Sequence, residues 1–328
     1  MRKKILAYNR VEKPVLERLQ KKYDVQFFKN VDTNTDTEFL DFLQEAEGAI
    51  GLELPVDRQL LEHAPNLKII SNVSVGYNNL DLDALKEKNV MATNTPGVLT
   101  NTVADTAFGI LVAAARRIPE LDYYVKEGKW DVEAVGPELF GTNVHHKTLG
   151  IIGMGRIGNA IAQRGHFGFD MDILYHSRSS KPEAEKQFNA KYCNLDKLLE
   201  ASDFVCMITP LTKQTEGMIG KEEFKRMKKS AIFVNASRGK TVVEEDLIEA
   251  LKQGEIAAAA LDVFEQEPID SDNPLLQMSN VVTTPHIGSS TVETELKMSE
   301  LAADNLEAGL NGEKPPNLID ASVWDNKG

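Results

Sequence analysis

Cysteine is nearly absent. Two thiols, Cys193 and Cys206, stand among 328 residues, with no CxxC and no histidine at ligand spacing from either. That excludes a disulfide framework and a thiolate metal centre, and it points to a reducing, cytoplasmic setting. Long apolar runs are missing too: nothing approaches the ~20 residues of a membrane span. The short apolar stretch after Arg2-Lys3-Lys4 does not read as a secretory leader. Positive charge is scarce, with 37 Lys and Arg against 50 Asp and Glu, a formal net charge of −13. Such a field repels nucleic-acid backbones and anionic lipid, so neither nucleic acid nor membrane is an expected partner. Any anion this protein binds must be met by a site built locally.

What is present is an ordinary globular composition, 42% hydrophobic and 27% charged. At roughly 100–200 residues per domain, a chain of this length makes two. Short apolar runs alternate with helical patterns from the start. KILAY (4–8), DVQFF (24–28), GAIGL (48–52), LKIISNV (67–73) and VMATN (90–94) read as strands. VLERLQKKY (15–23), FLDFLQEA (39–46) and LDLDALKEKN (80–89) read as helices between them. The same alternation restarts after residue 147, with strands in TLGIIGM, DILYHS, DFVCMITP, AIFVNAS, AAAALDV and NVVTTPH and helices in GNAIAQRGHFG and EEDLIEALKQG. KEEFKRMKK (221–229) reads as a charged amphipathic helix with Phe224 and Met227 facing in. A small-residue helix over 101–117 joins the halves, and a last helix over 292–312 follows the second set of strands. The expected architecture is α/β: two doubly wound parallel-sheet domains, Rossmann- or flavodoxin-like, with a cleft between them.

Gly153-Met154-Gly155-Arg156-Ile157-Gly158 matches GxGxxG directly after the strand Leu149-Gly150-Ile151-Ile152 and opens a helix. In that context the glycines serve a tight turn, approach of backbone to a pyrophosphate, and helix–strand packing, with phosphate meeting the helix N-terminus. Residues 99–289 are therefore the expected dinucleotide-binding domain. Residues 1–98 plus 290–328 are the expected substrate-binding domain, completed by the last helix. A site for NAD usually carries an acid at the end of the second strand, against the ribose 2′-hydroxyl. Here Ser177-Arg178-Ser179 occupies that place, while Asp170 and Asp172 lie at the other end of the strand. Hydroxyls and a guanidinium suit a 2′-phosphate, so NADP(H) is the expected cofactor and NAD(H) the alternative.

Arg238, Glu267 and His286 follow three successive apolar strands. Strand carboxyl ends face the ligand crevice of an open parallel sheet, so the three can converge. Arg238 suits a substrate carboxylate and its adjacent carbonyl. His286 can pass a proton to a nascent alkoxide, and Glu267 can orient its imidazole. His145-His146 lacks companions at useful spacing and reads as surface loop; no metal is expected. His166 reads as an ordinary helix residue and Cys206 as core.

VSVGYNNLD (73–81), NTPGVLTNTVAD (94–105), GIIGMGRIG (150–158), NASRGK (235–240), LDVFEQEP (261–268) and TPHIGS (284–289) together resemble the D-isomer-specific 2-hydroxyacid dehydrogenase family, closest to its glyoxylate/hydroxypyruvate reductase branch. The resemblance covers essentially the whole chain. It implies hydride reduction of a small 2-keto acid to a D-2-hydroxy acid, with Arg238 binding substrate, His286 as acid/base and Glu267 paired to it. It implies that backbone N–H groups of Val75 and Gly76 hold the substrate carboxylate. Cofactor contacts are implied at Gly153, Gly155, Arg156, Ile157 and Gly158, at Ser177, Arg178 and Ser179, and at Thr209, Pro210 and Thr215 of TPLTKQT. Further ones are implied at Ala236, Ser237, Asp262 and Gly288. A homodimer contacting through 101–146 is also implied. The segment AVGPELFGTNVHH (134–146) lacks the tryptophans that many reductases of this branch place in the substrate pocket; Leu139 or Phe140 is the expected substitute. Leu52, Glu53, Val75 and Phe140 are expected to set substrate size. A gluconate-type or other D-2-hydroxyacid dehydrogenase remains an alternative. So does a non-enzymatic dinucleotide sensor, against which stand the complete catalytic set and the lack of low-complexity extensions.

Overall fold

The structure, a computed structural model, describes residues 2–325 apart from 34 and 132–135. Of the segment 134–146, residues 134 and 135 therefore lie outside the described residues. The chain divides into two compact units, Met1–Leu99 with Ser290–Gly328, and Thr100–Ser289.

The first unit carries a five-stranded parallel sheet of β1 (Lys4–Tyr8), β2 (Asp24–Phe28), β3 (Gly48–Gly51), β4 (Ile69–Asn72) and β5 (Met91–Thr93), in the order β2-β1-β3-β4-β5. β3, β4 and β5 are buried at every position, as a sheet covered on both faces requires. Three connecting helices start at an aspartate whose carboxylate accepts from a backbone N–H three residues on: Asp36 from Phe39, Asp57 from Leu60 and Asp81 from Ala84. The helix Val292–Leu310 returns to this unit. Ser71 in β4 donates to the Ala302 carbonyl at 2.6 Å, and Met298, Ala302, Ala303, Leu306 and Leu310 are all buried.

The second unit carries seven parallel strands: β6 (Thr148–Ile152), β7 (Asp172–His176), β8 (Lys191–Tyr192), β9 (Phe204–Met207), β10 (Ile232–Asn235), β11 (Ala258–Leu261) and β12 (Val281–Thr283). Their order is β12-β11-β10-β9-β6-β7-β8. The helix Thr100–Ala115 belongs here and buries Ala104, Ala107, Phe108, Leu111 and Ala114 in the same cluster as Ile232, Val234 and Ala260 of the sheet. The order in which successive strands are added reverses between β1 and β3 in one sheet and between β6 and β9 in the other, all strands staying parallel. In open sheets such a reversal opens a crevice at the strand carboxyl ends.

Some elements differ from the sequence reading. The helix in 221–229 stops at Arg226, because Met227 turns to extended backbone while its side chain stays buried. The helix in 101–117 ends at Ala115; Arg117 adopts a left-handed φ of 56° and starts a second helix, Ile118–Lys126, that buries no residue. Strand β8 and the short helices Arg58–Glu62, Pro182–Phe188 and Leu195–Ala201 span too few residues to show a period. Among the described residues no helix is long and apolar enough to cross a membrane.

Candidate active site

The glycine loop leaves β6 at the reversal point. Gly153 has φ +107°, and a Cβ there would lie 2.7 Å from the Ile208 carbonyl just beyond β9. Gly158 packs so closely that a Cβ would meet the Gly153 carbonyl at 2.2 Å. Gly155, the N-cap of the helix Arg156–Phe169, instead faces open space, where a phosphate can come against bare backbone. Arg156 is exposed and Ile157 half-buried at the head of that helix. Across the crevice the Thr209 hydroxyl is buried with no hydrogen-bond partner among the described residues. An open cradle beside an orphaned hydroxyl fits a dinucleotide. The loop Pro210–Thr215 is closed by Thr215, whose hydroxyl donates to the Pro210 carbonyl at 2.6 Å. At the end of β7, Ser177 donates to the Ser179 carbonyl at 2.6 Å. Arg178 is exposed and makes no ion pair among the described residues.

β10, β11 and β12 are neighbours in the sheet, and their carboxyl ends deliver Arg238, Glu267 and His286. His286 Nδ1 bonds Glu267 Oε2 at 2.6 Å, each side chain 35% exposed. That bond raises the imidazole pKa above its usual value, outweighing burial and the Arg238 charge, which both lower it. Burial alone would push the Glu267 carboxyl up. The bonds from His286 and from the Phe264 N–H reverse this, and the carboxyl lies below its usual range. His286 thus holds a proton on Nδ1 toward Glu267 and leaves Nε2 free for chemistry.

The His286 turn is held by Asp262, 2% exposed at the end of β11. Its carboxylate accepts from the Thr284 hydroxyl at 2.6 Å and from the backbone N–H groups of Ile287 and Gly288 at 2.9 and 2.8 Å. These bonds keep His286 at φ +52°, a region that costs a residue with a Cβ roughly 1–2 kcal/mol. The structure therefore brings Asp262 and Gly288 to this turn.

Arg238 is carried by a buried polar knot. Ser237 donates backbone and hydroxyl to Asn235 Oδ1 at 3.0 and 2.7 Å, and the Thr241 hydroxyl donates to the Arg238 carbonyl at 2.6 Å. Ala236, beside Ser237, is also buried. At Gly239 a Cβ would strike the Phe264 carbonyl at 1.8 Å, so glycine lets the Arg238 loop press on the segment that presents Glu267. Asn235, Thr241 and Gly239 escaped the sequence reading; the only signal was their place within and beside NASRGK.

In the first unit, Val75 and Gly76 lie in the turn after β4. Buried Asn72 donates to Ser74 Oγ at 2.7 Å and to the Gly76 carbonyl at 2.9 Å. Ser74 Oγ also donates to the Gly76 carbonyl at 2.5 Å, and Asn94 donates to the Val75 carbonyl at 2.9 Å. The carbonyls are thus drawn into the protein. The N–H groups of Val75 and Gly76 have no partner among the described residues, a disposition that suits an anion. The sequence reading places Asn72 and Asn94 near the ends of strands and Ser74 in VSVGYNNLD, and gives none of the three a role. Asn9 holds the Leu52 carbonyl at 2.8 Å beside Glu53, which is left-handed at φ 57°. Phe140 does not join the catalytic group of its own chain. It lines a pocket of about 600 Å³ with Ile232, Ala258 and Val281, at the opposite ends of β10, β11 and β12.

His145 and His146 are exposed, His166 is half-buried, and the Cys206 thiol is pushed up to about 12 by complete burial. No group of three metal-ligating side chains occurs among the described residues.

Over residues 108–288 the chain matches the D-isomer specific 2-hydroxyacid dehydrogenase family at its NAD binding domain. It is 50% identical over 325 residues to glyoxylate/hydroxypyruvate reductase B of Escherichia coli O6:H1, covering 99% of this chain and 100% of that one. It matches the solved structure of an NADPH-dependent glyoxylate/hydroxypyruvate reductase of Sinorhizobium meliloti in complex with NADP and malonate, with TM-score 0.88, 32% identity and 98% of each chain covered. A protein of Thermus thermophilus matches with TM-score 0.89 and 37% identity, over 97% of this chain and 100% of the other. Set beside the glycine cradle and the Arg238, Glu267 and His286 group, these matches show that the chain belongs to the D-isomer specific 2-hydroxyacid dehydrogenase family, oxidoreductases dependent on a nicotinamide dinucleotide.

Proposed function

We propose that this enzyme reduces glyoxylate and hydroxypyruvate to the corresponding D-2-hydroxy acids, with NADPH preferred over NADH, as a cytoplasmic homodimer. The 2.6 Å pair of His286 and Glu267 carries the reading, with an arginine close enough for its charge to act on both. A 2-keto acid offers a carboxylate and an adjacent carbonyl. The open N–H groups of Val75 and Gly76 take the carboxylate. Arg238 is suited to a carboxylate and to polarising the carbonyl oxygen next to it. His286 gives the Nε2 proton to that oxygen as it becomes an alkoxide, and Glu267 stabilises the imidazolium beforehand. The dinucleotide is held by Gly153, Gly155, Arg156, Ile157 and Gly158 at its pyrophosphate and by Thr209, Pro210 and Thr215 nearer the ring. Ala236, Ser237, Asp262 and Gly288 complete its binding surface. When bound, its reduced nicotinamide supplies the hydride for the keto carbon.

The choice of substrates is supported by the Escherichia coli relative, which carries that activity in its name at 50% identity. NADPH preference is supported by Ser177, Arg178 and Ser179 in place of an acid, and by the NADP bound in the Sinorhizobium meliloti structure. The exposed Ile118, Tyr123 and Phe140 support a second copy as partner. The test is oxidation of NADPH and NADH with glyoxylate, hydroxypyruvate, pyruvate and 2-ketogluconate in parallel. Higher kcat/KM with NADPH and either of the first two acids is the expected outcome. Preference for 2-ketogluconate would move the enzyme to the gluconate-type branch, and absence of turnover with all four would reject the reading.

A further inference from the structure

We propose that Lys181 is a further specificity-determining residue, the second cation of a site that grips the 2′-phosphate of NADPH; this rests on the NADPH reading above. A phosphate monoester carries about two negative charges at neutral pH, which Arg178 alone leaves half balanced. Lys181 Nζ reaches back to Ser179 Oγ at 3.3 Å, which places an ammonium beside that hydroxyl, and Ser177 Oγ donates to the Ser179 carbonyl. Neither Arg178 nor Lys181 forms an ion pair among the described residues. In a chain of net charge −13, two cations and two hydroxyls with no paired carboxylate make a local anion site.

The loop is also fixed in place before any ligand arrives. Its far end is pinned where the Lys181 backbone N–H donates to Tyr175 Oη at 2.6 Å, and that hydroxyl in turn donates to Glu185 at 2.6 Å. The bond occupies one oxygen of Glu185; Glu183, the other acid of this helix, is exposed and forms no ion pair among the described residues. The near end is held by Tyr192, whose hydroxyl donates to the Ser177 carbonyl at 3.2 Å while its ring packs on Tyr175 with centroids 5.5 Å apart. Ser177 Oγ closes the middle on the Ser179 carbonyl. Edge strand β8, only two residues long, thus has a use: it sets Tyr192 under the loop. Lys181 touches the ligand; Tyr192 is a positioning residue.

The experiment measures kcat/KM with NADPH and with NADH for wild type, Lys181→Met, Lys181→Arg and Tyr192→Phe, together with the calorimetric affinity of each for 2′,5′-ADP. Loss of one charge-assisted bond predicts a fall of about tenfold in the NADPH-to-NADH ratio for Lys181→Met, carried by KM for NADPH, with a matching loss of 2′,5′-ADP affinity. Lys181→Arg should restore most of the ratio. Tyr192→Phe should lower it about threefold, again through KM, a split that a merely structural loss would not produce. A Lys181→Met enzyme that keeps the ratio and the 2′,5′-ADP affinity of an NADPH-preferring wild type overturns the role of Lys181 and leaves the NADPH reading standing. A wild type without NADPH preference overturns that reading, and this inference with it.

Discussion

At the scale of single residues, the site turns on the two opposed shifts of one pair. The imidazolium form of His286 is favoured by Glu267, so its contribution to stability is complete below the ordinary histidine value of 6.5 and is lost as pH rises through the raised folded value. The carboxylate form of Glu267 contributes above its ordinary value of 4.5 and is lost as pH falls through its lowered folded value. In the proposed mechanism reduction needs the proton on His286. Its kcat/KM should therefore decline with rising pH about a midpoint above 6.5. In Glu267→Gln only burial and the Arg238 charge remain as the larger influences, and both lower the imidazole pKa. The midpoint should move to 6.5 or below, so a pH profile that stays in place would remove Glu267 from the mechanism. His286→Ala should lower kcat by about 10²–10⁴-fold, the usual contribution of a positioned acid, while calorimetry still detects bound NADPH. These three residues could be singled out in the sequence because each follows an apolar run within a recognisable segment. Thr241 and Asn235 could not, because a hydroxyl bonding a carbonyl across a loop leaves no periodic trace.

Turns, more than strands, are the elements that make the site. The turn after β4 depends on one buried amide, Asn72, which draws the Gly76 carbonyl inward and leaves N–H groups facing out. Asn72→Ala removes bonds worth about 1 kcal/mol each, so KM for the keto acid should rise on the order of tenfold with a smaller change in kcat. A larger loss in kcat than in KM would place the fault elsewhere. The His286 turn depends likewise on Asp262, and Asp262→Ala should release the strained φ of +52° and cost kcat. Regular elements were legible where they ran long enough to show a period, as in β1, β6 and Val292–Leu310. KEEFKRMKK misled because burial of Met227 continues the apolar pattern one step past the backbone helix. The glycine loop was legible for a different reason. Steric need for glycine at 153 and 158 is written directly in residue identity.

For the whole molecule the informative fact is the division of the chain. Strands β1 to β5 and the helix Val292–Leu310 form one unit although all of the other lies between them in sequence. Met298, Leu306 and Leu310 are buried in that unit, and at about 1.5–3 kcal/mol each their loss rivals the total stability of a domain, some 5–15 kcal/mol. A chain stopped after Ser289 should leave residues 1–99 open to protease while 100–289 survives as a resistant core. A resistant fragment covering 1–99 would contradict this. In the sequence the strand pattern ends before the last helix and resumes nowhere after it, which is why residues 290–328 are expected with the first domain.

The same division sets a timetable on the ribosome. Translation at 5–20 residues per second separates the last strand of the first sheet from the helix that covers it by roughly 10–40 s. During that interval the uninterrupted unit is being made and becomes complete at its end, while the earlier-made strands wait with an uncovered apolar face. The nascent chain is then at its most vulnerable, and the part most in need of a chaperone is the part that was synthesised first.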